Sequence, residues 1–171
     1  MTAKRPVIAY WLIPEQVARE FFANAIRKLG SQFSAPIFDP HLTVFLAPEN
    51  SRNPTEVLRE LPPIDIELRV RGVRSGESFT KTVFVQFAKN DPLQELVNRT
   101  GRLSDASARC HIDPHLSLLY ASLPSATKRE LAASIQLPFT EVRFCGIQAV
   151  HCISPTENSD EVGAWQFLAE R

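Results

Sequence analysis

The stretch Asp39-Pro40-His41-Leu42-Thr43-Val44 recurs as Asp113-Pro114-His115-Leu116-Ser117-Leu118, its two histidines 74 residues apart. Side chains alternate between the two faces of an extended strand, so residues i and i+2 share a face. His41 therefore projects with Thr43, and His115 with Ser117, while Leu42, Val44, Leu116 and Leu118 point into a core. Each copy reads as a strand with one polar face and one packing face. Pro40 and Pro114 fix φ and push Asp39 and Asp113 toward extended geometry, which places the histidines at the strand starts. A fold holding both copies needs two such strands, each with a covered apolar side and an open polar side.

At 171 residues the chain is one domain, or two small halves sharing a core. Lys plus Arg and Asp plus Glu number 19 each, so no net positive field gathers a long polyanion. The three cysteines, Cys110, Cys145 and Cys152, lack metal-ligand spacing, and reduced thiols fit a cytoplasmic protein better than a disulfide scaffold does. The first residues lack a secretory apolar region, and no stretch reaches the roughly 20 apolar residues that cross a bilayer. A soluble, cytoplasmic monomer is expected.

Two similar halves emerge along the chain. Val7 to Leu12 reads as a strand, and Gln16 to Leu29 as a helix, with Val17, Phe21, Ala25, Ile26 and Leu29 at helical spacing and Gly30 as its stop. The first motif strand runs through Leu46, a helix starts near Asn53, and Ile64 to Val73 alternates as a half-buried strand. Thr82 to Ala88 is another strand, and Asp91-Pro92 opens a helix to about Leu103. After a loop from Ser104 to Asp113 the second motif strand follows, then a helix capped by Ser125, a strand from Phe139 to about Val150, a polar loop from Ser154 to Val162 and a last strand from Trp165 to Ala169. The absence of a regular βαβ rhythm favours α+β with antiparallel pairing and a cleft between the halves.

One neutral imidazole can take a proton from water while a second, protonated, gives one to a departing oxygen. A phosphodiester needs both services. A hydroxyl beside each histidine can donate to a nonbridging phosphate oxygen and stabilise its developing charge. This chemistry calls for no metal or other cofactor, and the carboxylate clusters of a two-metal phosphatase are not evident in the sequence. An isolated histidine in an apolar strand is usually structural, but repetition of the whole stretch argues for a shared task. His111 and His151 have no hydroxyl two positions on and read as surface or packing residues.

The two His-x-Thr/Ser repeats resemble those of the two-histidine (2H) phosphoesterase superfamily. Trp11-Leu12-Ile13-Pro14, Phe38 to Val44, and above all Pro114-His115-Leu116-Ser117-Leu118-Leu119-Tyr120-Ala121 resemble its cyclic nucleotide phosphodiesterase branch of plants and yeast. The resemblance covers nearly the whole chain. It implies an α+β bilobal fold over residues 1–171, with two antiparallel sheets, helices packed outside, pseudo-twofold symmetry and a central cleft. It further implies opening of ADP-ribose 1″,2″-cyclic phosphate to the 1″-phosphate, and of nucleoside 2′,3′-cyclic phosphates to 2′-phosphates, without metal. On this likeness His41 and His115 are the catalytic pair, with His115 as base and His41 as acid, and Thr43 and Ser117 hold phosphate.

Around the pair, the resemblance places Tyr120 at the site although an ideal strand turns it away from Ser117; a strand end or bend reconciles the two. Trp11 can stack on a base or ribose or serve the core, Phe79 can line the mouth, and Lys81 is a candidate phosphate partner. The connection from Gly72 to Lys81 matches the branch only loosely, and most of the plant members' additional cysteines are missing. The expected partner is a small cyclic nucleotide, not long nucleic acid or membrane. A 2′,5′-RNA phosphodiesterase or ligase-like enzyme and a noncatalytic nucleotide or RNA-end binding module are the alternatives.

Overall fold

The computed structural model describes residues 3–106 and 112–171. The expectations for Cys110, His111 and the adjoining part of the 104–113 loop lie outside them. The elements run β1 (Arg5–Pro14), α1 (Gln16–Phe33), β2 (Leu42–Pro48), α2 (Pro54–Glu60), β3 (Ile66–Ser75), β4 (Val83–Phe87), α3 (Asp91–Leu103), β5 (His115–Leu119), α4 (Ser125–Ser134), β6 (Glu141–Ser154), α5 (Ser159–Gly163) and β7 (Gln166–Glu170). A single 3₁₀ turn, Phe79–Lys81, interrupts the β3–β4 connection. No helix among the described residues is long and apolar enough to cross a membrane.

All strand pairings are antiparallel, in the order β2-β1-β6-β3-β4-β5, with β7 added to β6. The two antiparallel groups are joined through β3. Its first residues, Ile66 to Arg69, pair with β6, and its later residues pair with β4. The change of partner coincides with a register shift between Val70 and Gly72, where Gly72 takes φ 115°, a conformation open to glycine because it lacks Cβ. β2 and β5 are the two ends of this path, and they lie against each other. That contact brings the two motifs together.

Alternation divides β1 cleanly. Ile8, Tyr10 and Leu12 enter the main core with Phe22 and Ile26 of α1, whereas Val7, Ala9, Trp11 and Ile13 form a second apolar layer on the opposite side with Val150 and Cys152. Helix α1 contacts β5 as well as β1, α3 contacts β2, and α4 covers β3 and β4. One core thus runs behind both motif strands, and Leu42, Val44, Leu116 and Leu118 are buried in it as expected.

Several local expectations shift. Gly30 does not end α1; the helix continues to Phe33 and stops at Ser34, in the left-handed region at φ 50°. Gly30 instead gives room to the returning chain, since a Cβ there would lie 3.1 Å from Ile37 and 3.2 Å from the Ala35 carbonyl. Val17 is exposed, whereas Ile26 and Leu29 are buried as expected, Phe21 and Ala25 pack half-buried against the core, and Ala18 and Phe22 join the buried face. Asn53 caps α2 through Thr55 N–H, but Ser125 is the first residue of α4, with Pro124 at the cap position. The polar segment after β6 contains the short α5, capped by Asn158.

Candidate active site

Each motif histidine is held by its own motif. His41 Nδ1–H donates to the Asp39 carbonyl at 2.6 Å, and His115 Nδ1–H donates to the Asp113 carbonyl at 2.7 Å. A carbonyl only accepts, so both neutral rings carry their proton on Nδ1 and leave the Nε2 lone pair free. The Asp-Pro pair therefore serves through its backbone. It turns the carbonyl of Asp39 or Asp113 back onto the ring two residues later, a role that counting side chains could not reveal.

Both motif strands carry a bulge at the same place. Tyr10 pairs with Phe45 and Trp11 with Thr43, which leaves Val44 as the extra residue; Val83 pairs with Leu119 and Phe84 with Ser117, which leaves Leu118. Each bulge falls three residues after its histidine and resets the alternation. Thr43 shares the cleft side with Leu46 while Phe45 is buried, and Ser117 shares it with Tyr120 while Leu119 is buried. The irregularity in β5 resolves the conflict between ideal alternation and a site tyrosine.

His41, Thr43, His115, Ser117, Tyr120 and Trp11 line one cleft of about 280 Å³, together with Ala9, Leu46, Thr80, Trp165 and the segment Cys152 to Thr156. A larger hollow of about 660 Å³ beside Arg19, Cys145 and Arg171 holds none of these groups. Sequence reasoning missed Leu46, Thr80, Trp165 and the Cys152–Thr156 segment. Leu46 had a signal, since it stands five residues after His41 as Tyr120 does after His115. The others reach the cleft only through long-range pairing.

The surroundings of the two copies differ. His41 is buried and stacks flat on Trp11, with ring centroids 3.8 Å apart and planes at 16°. Burial is the main force that lowers its pKa, to about 4; the Asp39 carbonyl opposes the shift and His115 adds slightly to it. His115 is half-buried and edge-on to Phe84 at 5.5 Å. Burial again leads in lowering its pKa, with Lys81 adding and Asp113 opposing. At neutral pH both rings in the free protein are mainly uncharged.

The hydroxyls differ too. Ser117 Oγ–H donates to the Thr80 carbonyl at 2.7 Å, whereas no described residue engages the Thr43 hydroxyl. Lys81 pairs with the Asp113 carboxylate, which also accepts from Gln86 at 2.9 Å, and its ammonium lies 4.4 Å from the Phe84 ring centre. Lys81 thus braces the second motif. Trp11 and Tyr120 are only 6% and 3% exposed; Trp11 faces His41, and Tyr120 stacks on Phe38 at 3.8 Å. Phe79 does not line the mouth but sits behind Tyr120, tilted at 6.0 Å. Its 3₁₀ turn directs the Thr80 carbonyl, rather than the Phe79 ring, to the cleft. Among the described residues no cluster of His, Cys, Asp or Glu is arranged to hold a metal ion.

The model of a family described as cyclic phosphodiesterase-like protein matches residues 7–141, a span that includes both motifs. A cyclic phosphodiesterase from Arabidopsis thaliana is 26% identical over 172 aligned positions, which cover 97% of this chain and 94% of that protein. Among solved structures, Escherichia coli LigT in its apo form superposes with a TM-score of 0.61 at 12% identity, over 99% of this chain and 98% of that one. LigT complexed with 3′-AMP gives 0.57 at 13% identity, covering 98% of each chain. A further structure, described as a phosphoesterase, gives 0.57 at 13% identity and covers 96% of each. At those identities the structural likeness speaks for the fold.

Proposed function

Since the chain belongs to the cyclic phosphodiesterase-like protein family and is a phosphodiesterase, we propose that it opens small cyclic phosphodiesters by acid-base catalysis between His41 and His115. The substrates we assign are ADP-ribose 1″,2″-cyclic phosphate, opened to the 1″-phosphate, and nucleoside 2′,3′-cyclic phosphates, opened to the 2′-phosphate. The observation that carries this reading is the pair of imidazoles, each tied at Nδ1 to a carbonyl and accompanied by a hydroxyl, lining one cleft. Solution of a fold relative with 3′-AMP is consistent with a nucleotide-sized ligand. The matched bulges and matched histidine clamps support reading the single domain as two pseudo-symmetric lobes.

In this mechanism neutral His115 takes a proton from water as the water oxygen attacks phosphorus. The ring P–O bond breaks, and His41 delivers its proton from Nε2 to the leaving ribose oxygen. His115 suits the base because it is the more exposed ring and can pass its proton to solvent. For His41 as acid, the Asp39 carbonyl and the parallel Trp11 face both favour the imidazolium, against the desolvation that opposes it. The arriving phosphate anion supplies the remaining stabilisation. Thr43 donates to a nonbridging oxygen directly, and Ser117 does so by turning its proton from the Thr80 carbonyl.

The test is hydrolysis of the four nucleoside 2′,3′-cyclic phosphates and ADP-ribose cyclic phosphate, with a chelator present throughout. His41→Ala and His115→Ala are each expected to lower kcat by about 10²–10⁴-fold while the fold is retained. Full activity in either variant, or loss of wild-type activity with chelator, overturns the mechanism.

A further inference from the structure

The cleft is larger than the phosphate its histidines and hydroxyls would hold. Besides those groups its lining includes Leu46 of β2, Ala9 of β1, the end of β6 and the residues after it from Cys152 to Thr156, and Trp165. The β-ladder registers explain this part of the lining. Leu46 stands opposite Ala9, Ala9 opposite Val150, and Val150 opposite Phe167, so one row crosses β2, β1, β6 and β7 on the cleft side of the sheet. Within the row, Ala9 and Val150 are 1% and 3% exposed, whereas Leu46 is 43% exposed. A small alanine between larger neighbours makes a shallow step, and Leu46 is the apolar side chain that rises beside it.

Trp11, the aromatic that could stack on a base, and Tyr120 beside it in the cleft have little surface to offer, with Trp11 occupied by His41 and Tyr120 by Phe38. Leu46 is left as an exposed large apolar group in the same cleft as the catalytic pair. It also takes, in the first motif, the place that Tyr120 takes in the second, so the bulge turns both to the cleft side. Ligand pockets characteristically combine such an apolar wall with a few convergent polar groups. Ser154 and Thr156 line the cleft as well; the Thr156 hydroxyl donates to the Ile153 carbonyl at 2.7 Å, which leaves its oxygen to accept.

We propose that the Leu46–Ala9 step, beside Cys152 to Thr156 in the same cleft, is the nucleoside subsite, and that Leu46 is the residue through which the protein distinguishes a nucleoside cyclic phosphate from a cyclic phosphate without a base. The proposal rests on the phosphodiesterase reading above. Leu46 contacts the base or its ribose and makes no contribution to proton transfer, so its effect is confined to substrates that reach the step.

The experiment compares a nucleoside 2′,3′-cyclic phosphate with glycerol 1,2-cyclic phosphate, which presents the same five-membered diester without a base. In Leu46→Ala, kcat/KM for the nucleoside substrate is expected to fall about tenfold, chiefly through KM, as expected for lost apolar contact in a pocket. The value for glycerol cyclic phosphate stays within twofold of wild type, and Leu46→Phe restores the nucleoside preference. Equal losses on both substrates, or no loss on either, overturn the subsite while leaving the phosphodiesterase reading intact. A wild-type protein that opens neither substrate removes the reading beneath, and the subsite with it.

Discussion

Acid should destabilise this protein earlier than its ion pairs alone would dictate, because His41 is folded into a place that disfavours its charged form. Its pKa falls from the ordinary 6.5 to about 4, with burial as the leading cause. Between those two values the unfolded chain binds a proton that the folded chain refuses, so stability falls as pH falls through this window. Each unit costs about 1.4 kcal/mol per such group. Taken from pH 7.5, where both states are neutral, to pH 5.0, the His41 contribution is a loss of about 2 kcal/mol. His115 is shifted in the same direction and adds to the loss. The carboxylates Glu60, Asp65 and Glu161, each paired with a cation, have lowered pKa values, so the stability they lend is lost mainly below the pH 5.0 end of this comparison. Urea unfolding at the two pH values should show the wild-type midpoint moving down by about 1 M or more at an m-value near 2 kcal/mol/M. His41→Asn should recover about 2 kcal/mol of that pH dependence and retain the His115 share. An identical pH dependence in His41→Asn would refute the argument that burial holds this ring neutral.

Two further outcomes concern the connection between β3 and β4. Thr82 is fully buried; its hydroxyl accepts from Ala121 N–H at 3.0 Å and lies 2.6 Å from the Ala121 carbonyl and 2.9 Å from that of Phe79. Thr82→Val keeps the shape but orphans a buried N–H, so it should cost about 2 kcal/mol and lower the Tm by ~6 °C in a melt followed by circular dichroism; an unchanged Tm contradicts the stitch. Lys128 is buried, and its ammonium donates to the Gly76 carbonyl and to Glu77, each at 2.8 Å. Since removing only the anion leaves the buried cation with the Gly76 carbonyl as its remaining partner, Glu77→Ala should destabilise the protein more than Lys128→Met does. Urea denaturation of the two variants checks the order, and the reverse order sinks it.

The sequence by itself carried the elements whose causes lie within a few residues. Alternation assigned Leu42, Val44, Leu116 and Leu118 to the core, proline placed each histidine at a strand start, and Asn53 marked the cap of α2, because rotation about one strand or one helix turn is set by immediate neighbours. Duplication then pointed to His41, Thr43, His115 and Ser117 as one set, since two matching short stretches need a common reason. Local rules failed where distant chain segments compete. A glycine looks like a helix stop until Ile37 returns across it, and Ser117 looks free to meet a phosphate until Thr80 arrives from another turn.

Tertiary structure alone decided that the two motifs meet, because they lie at opposite ends of a path of strands and only its curling brings β2 against β5. It also decided which face each later residue joins. A bulge exists only between paired strands, so no single strand's sequence shows that Val44 and Leu118 are the extra residues, or that Leu46 and Tyr120 thereby turn toward the cleft. The difference between the two histidines arises in the same way. Their motifs are nearly the same, but Trp11 closes over one ring while Lys81 braces the other through the motif's own Asp113, and Trp11 and Lys81 come from elsewhere in the chain. Chemistry was legible in residue type and spacing; its polarity depends on burial and on nonlocal charge.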